Sequence, residues 1–92
     1  MIKSFKHKGL EKFYREDSKA GIIPAHPEKL RDQLSTLNLA TSPQDMDNRG
    51  WLLHSLRGNL KGHWSVRVNA NWRLTFRFAD GDAEVVDYQD YH

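Results

Sequence analysis

The sequence predicts an α+β fold in which two N-terminal helices cover one face of a mainly antiparallel, C-terminal β-sheet. Apolar residues recur at helical spacing between Leu10 and Leu37, whereas strand-like alternation dominates from Trp51 onward. Asp80-Gly81 is a strong hairpin-turn signal between two alternating runs. Because 92 residues can bury only one modest core, we expect a single domain spanning residues 1–92.

The helical half is expected to follow a short first strand, Met1-Ile2-Lys3-Ser4-Phe5, which has no apolar segment after it and so does not indicate a signal peptide. The helical stripes consist of Leu10, Phe13 and Tyr14 in the first helix and Leu30, Leu34 and Leu37 in the second. Gly21 is a plausible stop for the first helix, and Pro27 suits the first position of the second. Ser42-Pro43-Gln44-Asp45 predicts a further short capped turn.

The sheet is expected to begin with a strand from Trp51 to Leu56, followed by a loop between Gly58 and Gly62. A three-residue loop at 69–71 then pairs Val68 with Trp72, Val66 with Leu74, Trp64 with Phe76, Arg67 with Arg73 and Ser65 with Thr75. A type I′ turn at 80–81 pairs Phe78 with Ala83, Phe76 with Val85, Arg77 with Glu84 and Arg73 with Tyr88. One face is therefore apolar, and the other carries Arg, Ser, Thr and Tyr.

Charge is unevenly distributed along the sheet-forming half. Residues 48–79 contain no acid but six basic residues: Arg49, Arg57, Lys61, Arg67, Arg73 and Arg77. A basic segment of this kind indicates a polyanionic partner. Arg67 opposite Arg73 is destabilising unless an anion lies beside the pair, which predicts a phosphate site. Alternatively, both arginines extend into water, or Glu84 and Asp90 neutralise them.

The sequence offers no cysteine and no long apolar run, which favours a reducing cytosol over a membrane. His7, His26 and His63 have no metal-ligand spacing, so we interpret them as surface or loop residues and expect no metal or other cofactor. The tryptophans are expected to lie in the core.

The terminal Asp90-Tyr91-His92 brings together a carboxylate, a phenol and an imidazole on the predicted last strand. Strand alternation assigns Asp90 and His92, together with Tyr88, to the face of Arg73. Three proton-handling side chains beside an arginine-bearing strand indicate a site of acid–base chemistry. His54 is a second candidate acid or base, or else a half-buried structural histidine.

Four segments closely resemble HigB toxins of the RelE/ParE superfamily: His54-x-Leu56-Arg57-Gly58, Gly62-x-Trp64-Ser65-Val66-Arg67-Val68-Asn69, Asn71-Trp72-Arg73-Leu74-Thr75-Phe76 and Val86-x-Tyr88-x-Asp90-Tyr91-His92. The resemblance covers nearly the whole chain. It implies a RelE-like domain and a type II toxin that cleaves translated mRNA in the ribosomal A site. Such a cytoplasmic mRNA interferase would work with mRNA, the 70S ribosome and a HigA-like helix-turn-helix antitoxin.

The resemblance also implies the functional residues. The catalytic set is His54, Arg73, Asp90, Tyr91 and His92. We expect Arg73 to hold the phosphate, Asp90 and His92 to transfer protons, Tyr91 to position the RNA and His54 to assist. The residues expected to contact RNA or the ribosome are Arg49, Arg57, Lys61, Arg67 and Arg77. Relatives commonly carry lysine at the position of Arg57, and arginine keeps the charge but cannot donate its proton.

Two other functions remain open at the level of sequence. A ParE-like inhibitor of DNA gyrase would share the fold but would have no evident need for His54 and the terminal acid-Tyr-His set. A non-catalytic RNA-binding regulator would use the basic strands for affinity alone.

Overall fold

The computed structural model describes residues 1–90. In that part of the chain, α1 (Lys8–Glu16) and α2 (Pro27–Leu39) precede four strands: β1 (His54–Ser55), β2 (Trp64–Asn69), β3 (Trp72–Ala79) and β4 (Asp82–Asp90). The strands form one antiparallel sheet in the order β1-β2-β3-β4. The predicted α+β architecture is therefore confirmed. Among the described residues, no helix is long and apolar enough to cross a lipid bilayer.

The first five residues run parallel to β4 and touch it through two isolated bridges, Ile2 to Ala83 and Phe5 to Val86. Ser4 lies between these bridges, where its carbonyl accepts the Val86 N–H at 3.1 Å. The predicted N-terminal strand is thus present as two bridges, which backbone hydrogen bonds to Ala83 and Val86 hold beside the sheet.

Both predicted helices are present, and their apolar stripes are buried in the core. Pro27 begins α2 as expected, and the Ser42 turn is a 3-10 helix, Pro43–Met46. The expected stop at Gly21 is wrong, because α1 ends at Glu16 with Asp17 in the left-handed conformation (φ 59°). Gly21 instead allows close packing, since a Cβ there would lie 3.0 Å from the Gly9 Cα.

The β2–β3 hairpin has the predicted register over most of its length, including Arg67 opposite Arg73. The expected Val68–Trp72 pair is wrong, because a bulge between Arg67 and Asn69 brings Asn69 opposite Trp72. A shorter turn closes the hairpin, with Ala70 in the left-handed region (φ 49°). Val68 nevertheless stays in the core.

The β3–β4 hairpin begins as predicted, with positive φ at Asp80 (54°) and Gly81 (81°). Phe78 pairs with Ala83 and Arg77 with Glu84. The expected pairs Phe76–Val85 and Arg73–Tyr88 are wrong, because β4 bulges between Glu84 and Asp87. Beyond the bulge, Tyr88 lies opposite Leu74, Gln89 opposite Arg73 and Asp90 opposite Trp72. One extra residue in a strand exchanges the faces of everything after it.

The bulge turns Tyr88 into the core, where it is 3% exposed. Its phenol oxygen lies 2.6 Å from His26 Nδ1 and accepts the Ile23 N–H at 3.3 Å. The Trp72 ring packs against Tyr88 with centroids 4.6 Å apart. His26 lies in a loop, one of the two expected settings, but it is buried rather than exposed. It lies directly before α2 and contacts Tyr88 near the end of β4.

The expected strand from Trp51 to Leu56 is wrong, because only His54 and Ser55 pair with β2. Leu52 has a φ of 53°, which breaks the extended run. Trp51 is buried and its carbonyl accepts the Arg67 N–H at 2.7 Å, so the chain remains attached to β2 at that point. All three tryptophans belong to the core or pack against it, as predicted.

The buried His26 predicts that acid destabilises the fold. Burial lowers the pKa of the His26 imidazole below its ordinary value. Its stabilising contribution is therefore complete above the unfolded value of about 6.5 and declines as the pH falls toward the folded pKa. We expect the urea midpoint to decrease as the pH is lowered from about 7.5 to about 5.5, and to decrease less in His26→Gln. An equal decline in both proteins would show that His26 is not the group responsible.

Candidate active site

The polar face of the sheet contains a cleft of about 130 Å³ lined by Leu52, His54, Leu56, Ser65 and Arg73. Pairing of β1 with β2 places His54 opposite Ser65, and β3 contributes Arg73 from the next strand. Ser65 is 4% exposed and Leu56 is 7% exposed, so the cleft has a buried floor. Two of the predicted catalytic residues, His54 and Arg73, are thus brought together by the sheet.

Two arginines next to this cleft converge on one carbonyl. Arg67 Nε donates to the Ala70 carbonyl at 3.2 Å, and Arg73 Nη1 donates to the same oxygen at 2.9 Å. Within residues 1–90, neither guanidinium forms an ion pair with a carboxylate. Two adjacent cations sharing one neutral acceptor leave donors and positive charge available for an anion such as phosphate.

The acids that could have neutralised this pair are directed elsewhere. Glu84 accepts from Arg77 Nη2 at 2.6 Å, which confirms the predicted cross-strand charge pair. Asp90 lies opposite Trp72, in the register that turns Tyr88 away from Arg73. The expectation that strand alternation places Tyr88 and Asp90 on the Arg73 face is therefore wrong. The reason is the bulge between Glu84 and Asp87, where Val85 has a φ of 52°. Asp90 is exposed at the end of β4.

His54 is exposed on β1, which contradicts the alternative of a half-buried structural histidine. It is available to a ligand in the cleft. The positions predicted for Tyr91 and His92 lie outside the described residues.

The remaining basic residues do not line the cleft. Arg57 and Lys61 are exposed on either side of the 3-10 turn Gly58–Leu60, and Arg49 is exposed in the loop before Trp51. Arg77 already has Glu84 as a partner, so less of its charge is available than that of the others. In the described part of the chain, no three His, Cys, Asp or Glu side chains are grouped to hold a metal ion.

Sequence reasoning missed Leu52, Leu56 and Ser65 as parts of the cleft. Ser65 was predicted to face the polar side, but its proximity to His54 depends on the short β1–β2 pairing. The interruption at Leu52 had no signal in the sequence, because neither glycine nor asparagine stands there.

The domain that carries this cleft matches known proteins along nearly its whole length. A family model described as the RelE-like toxin of type II toxin-antitoxin system HigB matches residues 3–92. The protein named Endoribonuclease HigB from Proteus vulgaris is 40% identical over 92 residues, covering 100% of both chains. Toxin HigB-1 of Vibrio cholerae serotype O1 is 39% identical over 94 residues, covering 100% of this chain and 98% of the relative.

The chain therefore belongs to the HigB family of RelE-like toxins from type II toxin-antitoxin systems. This confirms the family expected from the sequence motifs. Membership in such a system also implies an antitoxin partner.

Proposed function

We propose that this toxin is a ribosome-dependent mRNA endonuclease whose reaction takes place in the His54–Arg73 cleft. The observation that carries the proposal is the placement of His54 beside Arg73, whose charge no carboxylate of residues 1–90 neutralises. The name of the Proteus vulgaris relative, an endoribonuclease, supports the same class of reaction.

The cleft holds two of the groups that cleavage of an RNA phosphodiester needs, a cation and an imidazole. Arg73 can hold two oxygens of the scissile phosphate, stabilising the charge that develops as the 2′-hydroxyl attacks phosphorus. An imidazole can accept or donate a proton at neutral pH, and His54 is exposed in the cleft for that purpose. Attack breaks the bond to the 5′-oxygen, which takes up a proton as it leaves.

The terminal residues are proposed to complete this chemistry. Asp90 and His92 transfer protons between the 2′-hydroxyl and the leaving 5′-oxygen, and Tyr91 positions the RNA by stacking or hydrogen bonding. Because Asp90 pairs opposite Trp72 rather than Arg73, this role has its carboxylate approach the substrate from the end of β4.

Ribosome dependence is proposed from exposed basic residues outside the cleft. Arg49, Arg57 and Lys61 are exposed, and each can contact phosphates of ribosomal RNA or mRNA. Since translated mRNA is the substrate, we propose that the toxin acts in the cytoplasm. We propose a HigA-like helix-turn-helix protein as the antitoxin.

The reaction can be tested with a reporter mRNA in a purified translation system. We expect cuts within the coding region of the translated message and none in the same message without a start codon. A double variant, His54→Ala with Arg73→Ala, is the control for a contaminating nuclease. Equal cleavage of both messages would exclude ribosome dependence. Intact mRNA together with a DNA-damage response in cells would instead favour a gyrase inhibitor.

A further inference from the structure

Leu52 is an unusual residue at the entrance to the cleft. Its side chain is 60% exposed although it is large and apolar. Its φ of 53° lies in the left-handed region, which leucine avoids because its Cβ approaches the following carbonyl oxygen. It lines the same cleft as His54 and Arg73. Strain and apolar exposure therefore coincide at one residue of the candidate active site.

The backbone on both sides of Leu52 holds it in this position. The Trp51 carbonyl accepts the Arg67 N–H at 2.7 Å, and His54 pairs with Ser65. The segment from Trp51 to His54 is therefore one residue longer than the segment from Ser65 to Arg67 with which it pairs. The extra residue forms a bulge, a feature that redirects side chains and occurs frequently beside active sites.

Packing of the Leu52 side chain does not explain this arrangement. A left-handed conformation at a residue other than glycine persists only where its surroundings enforce it, and such residues cluster at ligand sites. Leu52 does not belong to the apolar core of the described residues. Its neighbour Leu53 packs against that core, so the bulge buries one leucine and presents the other.

We propose that Leu52 is an apolar platform for one unpaired nucleobase of the RNA whose phosphate Arg73 holds. The inference rests on the proposed endonuclease function and adds a substrate contact to it. A volume of about 130 Å³ equals about four water molecules at ~30 Å³ each, which suits one ring system rather than a folded strand. Because a leucine side chain has no hydrogen-bonding group, the contact adds affinity without selecting the base.

The cations beside Leu52 determine this choice of ligand. Arg67 and Arg73 have no carboxylate partner within residues 1–90 and provide charge for a phosphate. An apolar side chain next to a phosphate site matches a nucleotide, whose charged backbone and flat base lie side by side.

The test compares Leu52→Asn with Leu39→Asn in the translated-reporter assay, with initial rates measured over a range of ribosome–mRNA concentrations. Leu39 is the matched control, since it is 82% exposed at the end of α2 and does not line the cleft. We expect Leu52→Asn to raise KM about fivefold to tenfold with kcat changed less than about twofold. Leu52→Met, which keeps an apolar side chain, should stay within about twofold of the wild-type KM.

Thermal unfolding separates a substrate contact from a structural role. Asparagine tolerates the left-handed region better than leucine, so Leu52→Asn should unfold at the wild-type temperature or above it while binding RNA more weakly. A lowered unfolding temperature in step with the lost activity would overturn the inference in favour of a structural role. It is also overturned if Leu52→Asn has the KM of Leu39→Asn, or if Leu52→Met is impaired as much as Leu52→Asn.

Arg73→Ala distinguishes the two proposals. If that variant loses cleavage while Leu52→Asn behaves as the control, the endonuclease stands and the platform does not. If the wild-type protein leaves translated RNA intact, both fail.

Discussion

Replacing Arg73 by alanine is expected to reduce cleavage of translated mRNA by about 10²–10³-fold, the usual effect of removing one preorganised group that stabilises transition-state charge. The fold should tolerate the change. Arg67 still donates to the Ala70 carbonyl, and the repulsion between the two opposed arginines disappears. Rates of reporter cleavage and urea unfolding curves, measured on the same preparations, test both expectations.

Two further variants make the Arg73 result specific. Arg15→Ala removes an exposed arginine that is paired with Glu11 on α1, away from the cleft, and should leave the cleavage rate within about twofold of wild type. Arg73→Lys keeps the charge but loses the bidentate geometry, so its rate should lie between those of wild type and Arg73→Ala. Wild-type cleavage by Arg73→Ala would remove the basis for placing the reaction in this cleft.

Deleting Val85 is expected to destabilise the protein by at least about 4 kcal/mol, a cost in the range found for removing a large buried aromatic side chain. Without the bulge residue, strand alternation turns Tyr88 out of the core and turns Asp87 and Gln89 toward it. The 2.6 Å contact between Tyr88 and His26 is then lost, and a carboxylate faces apolar neighbours. Urea unfolding measures the stability, and the reporter assay shows whether any folded fraction still cleaves RNA.

Val85→Gly is the control for the deletion, because it keeps the residue count. Glycine fits the φ of 52° at this position without strain, which offsets the loss of a half-buried valine side chain. Its stability should therefore lie within about 1 kcal/mol of wild type. A deletion variant with the stability of Val85→Gly would mean that β4 can shift its register at little cost.

The register could be predicted for β2 and β3 from Trp64 to Arg67, and for β3 and β4 next to the Asp80-Gly81 turn, because local signals agree there. Asp80-Gly81 specifies a turn with two positive φ angles, and parity then places Arg77 opposite Glu84. The same reasoning placed Arg67 opposite Arg73 across β2 and β3, which is the basis of the proposed phosphate site. These predictions succeed because a wrong register would expose apolar side chains that have to be buried.

The bulges at Val85 and Leu52 could not be predicted in this way. Valine favours strands and leucine has no preference for a left-handed conformation, so Val85 and Leu52 carry no local signal. Val85 donates its N–H to the Ser4 side chain, which lies 81 positions earlier in the chain. Leu52 is held by the pairing of its neighbours with β2. In both cases a contact distant in sequence outweighs the local preference.

The sequence alone thus determined the element types, the family motifs and the opposed arginines of this toxin. Only the tertiary structure decided that His54 joins Arg73 in one cleft, that Leu52 stands at its edge and that Asp90 lies opposite Trp72. The physical reason is that one extra residue in a strand reverses every later side chain. Whether that residue is accommodated depends on hydrogen bonds supplied by other parts of the chain.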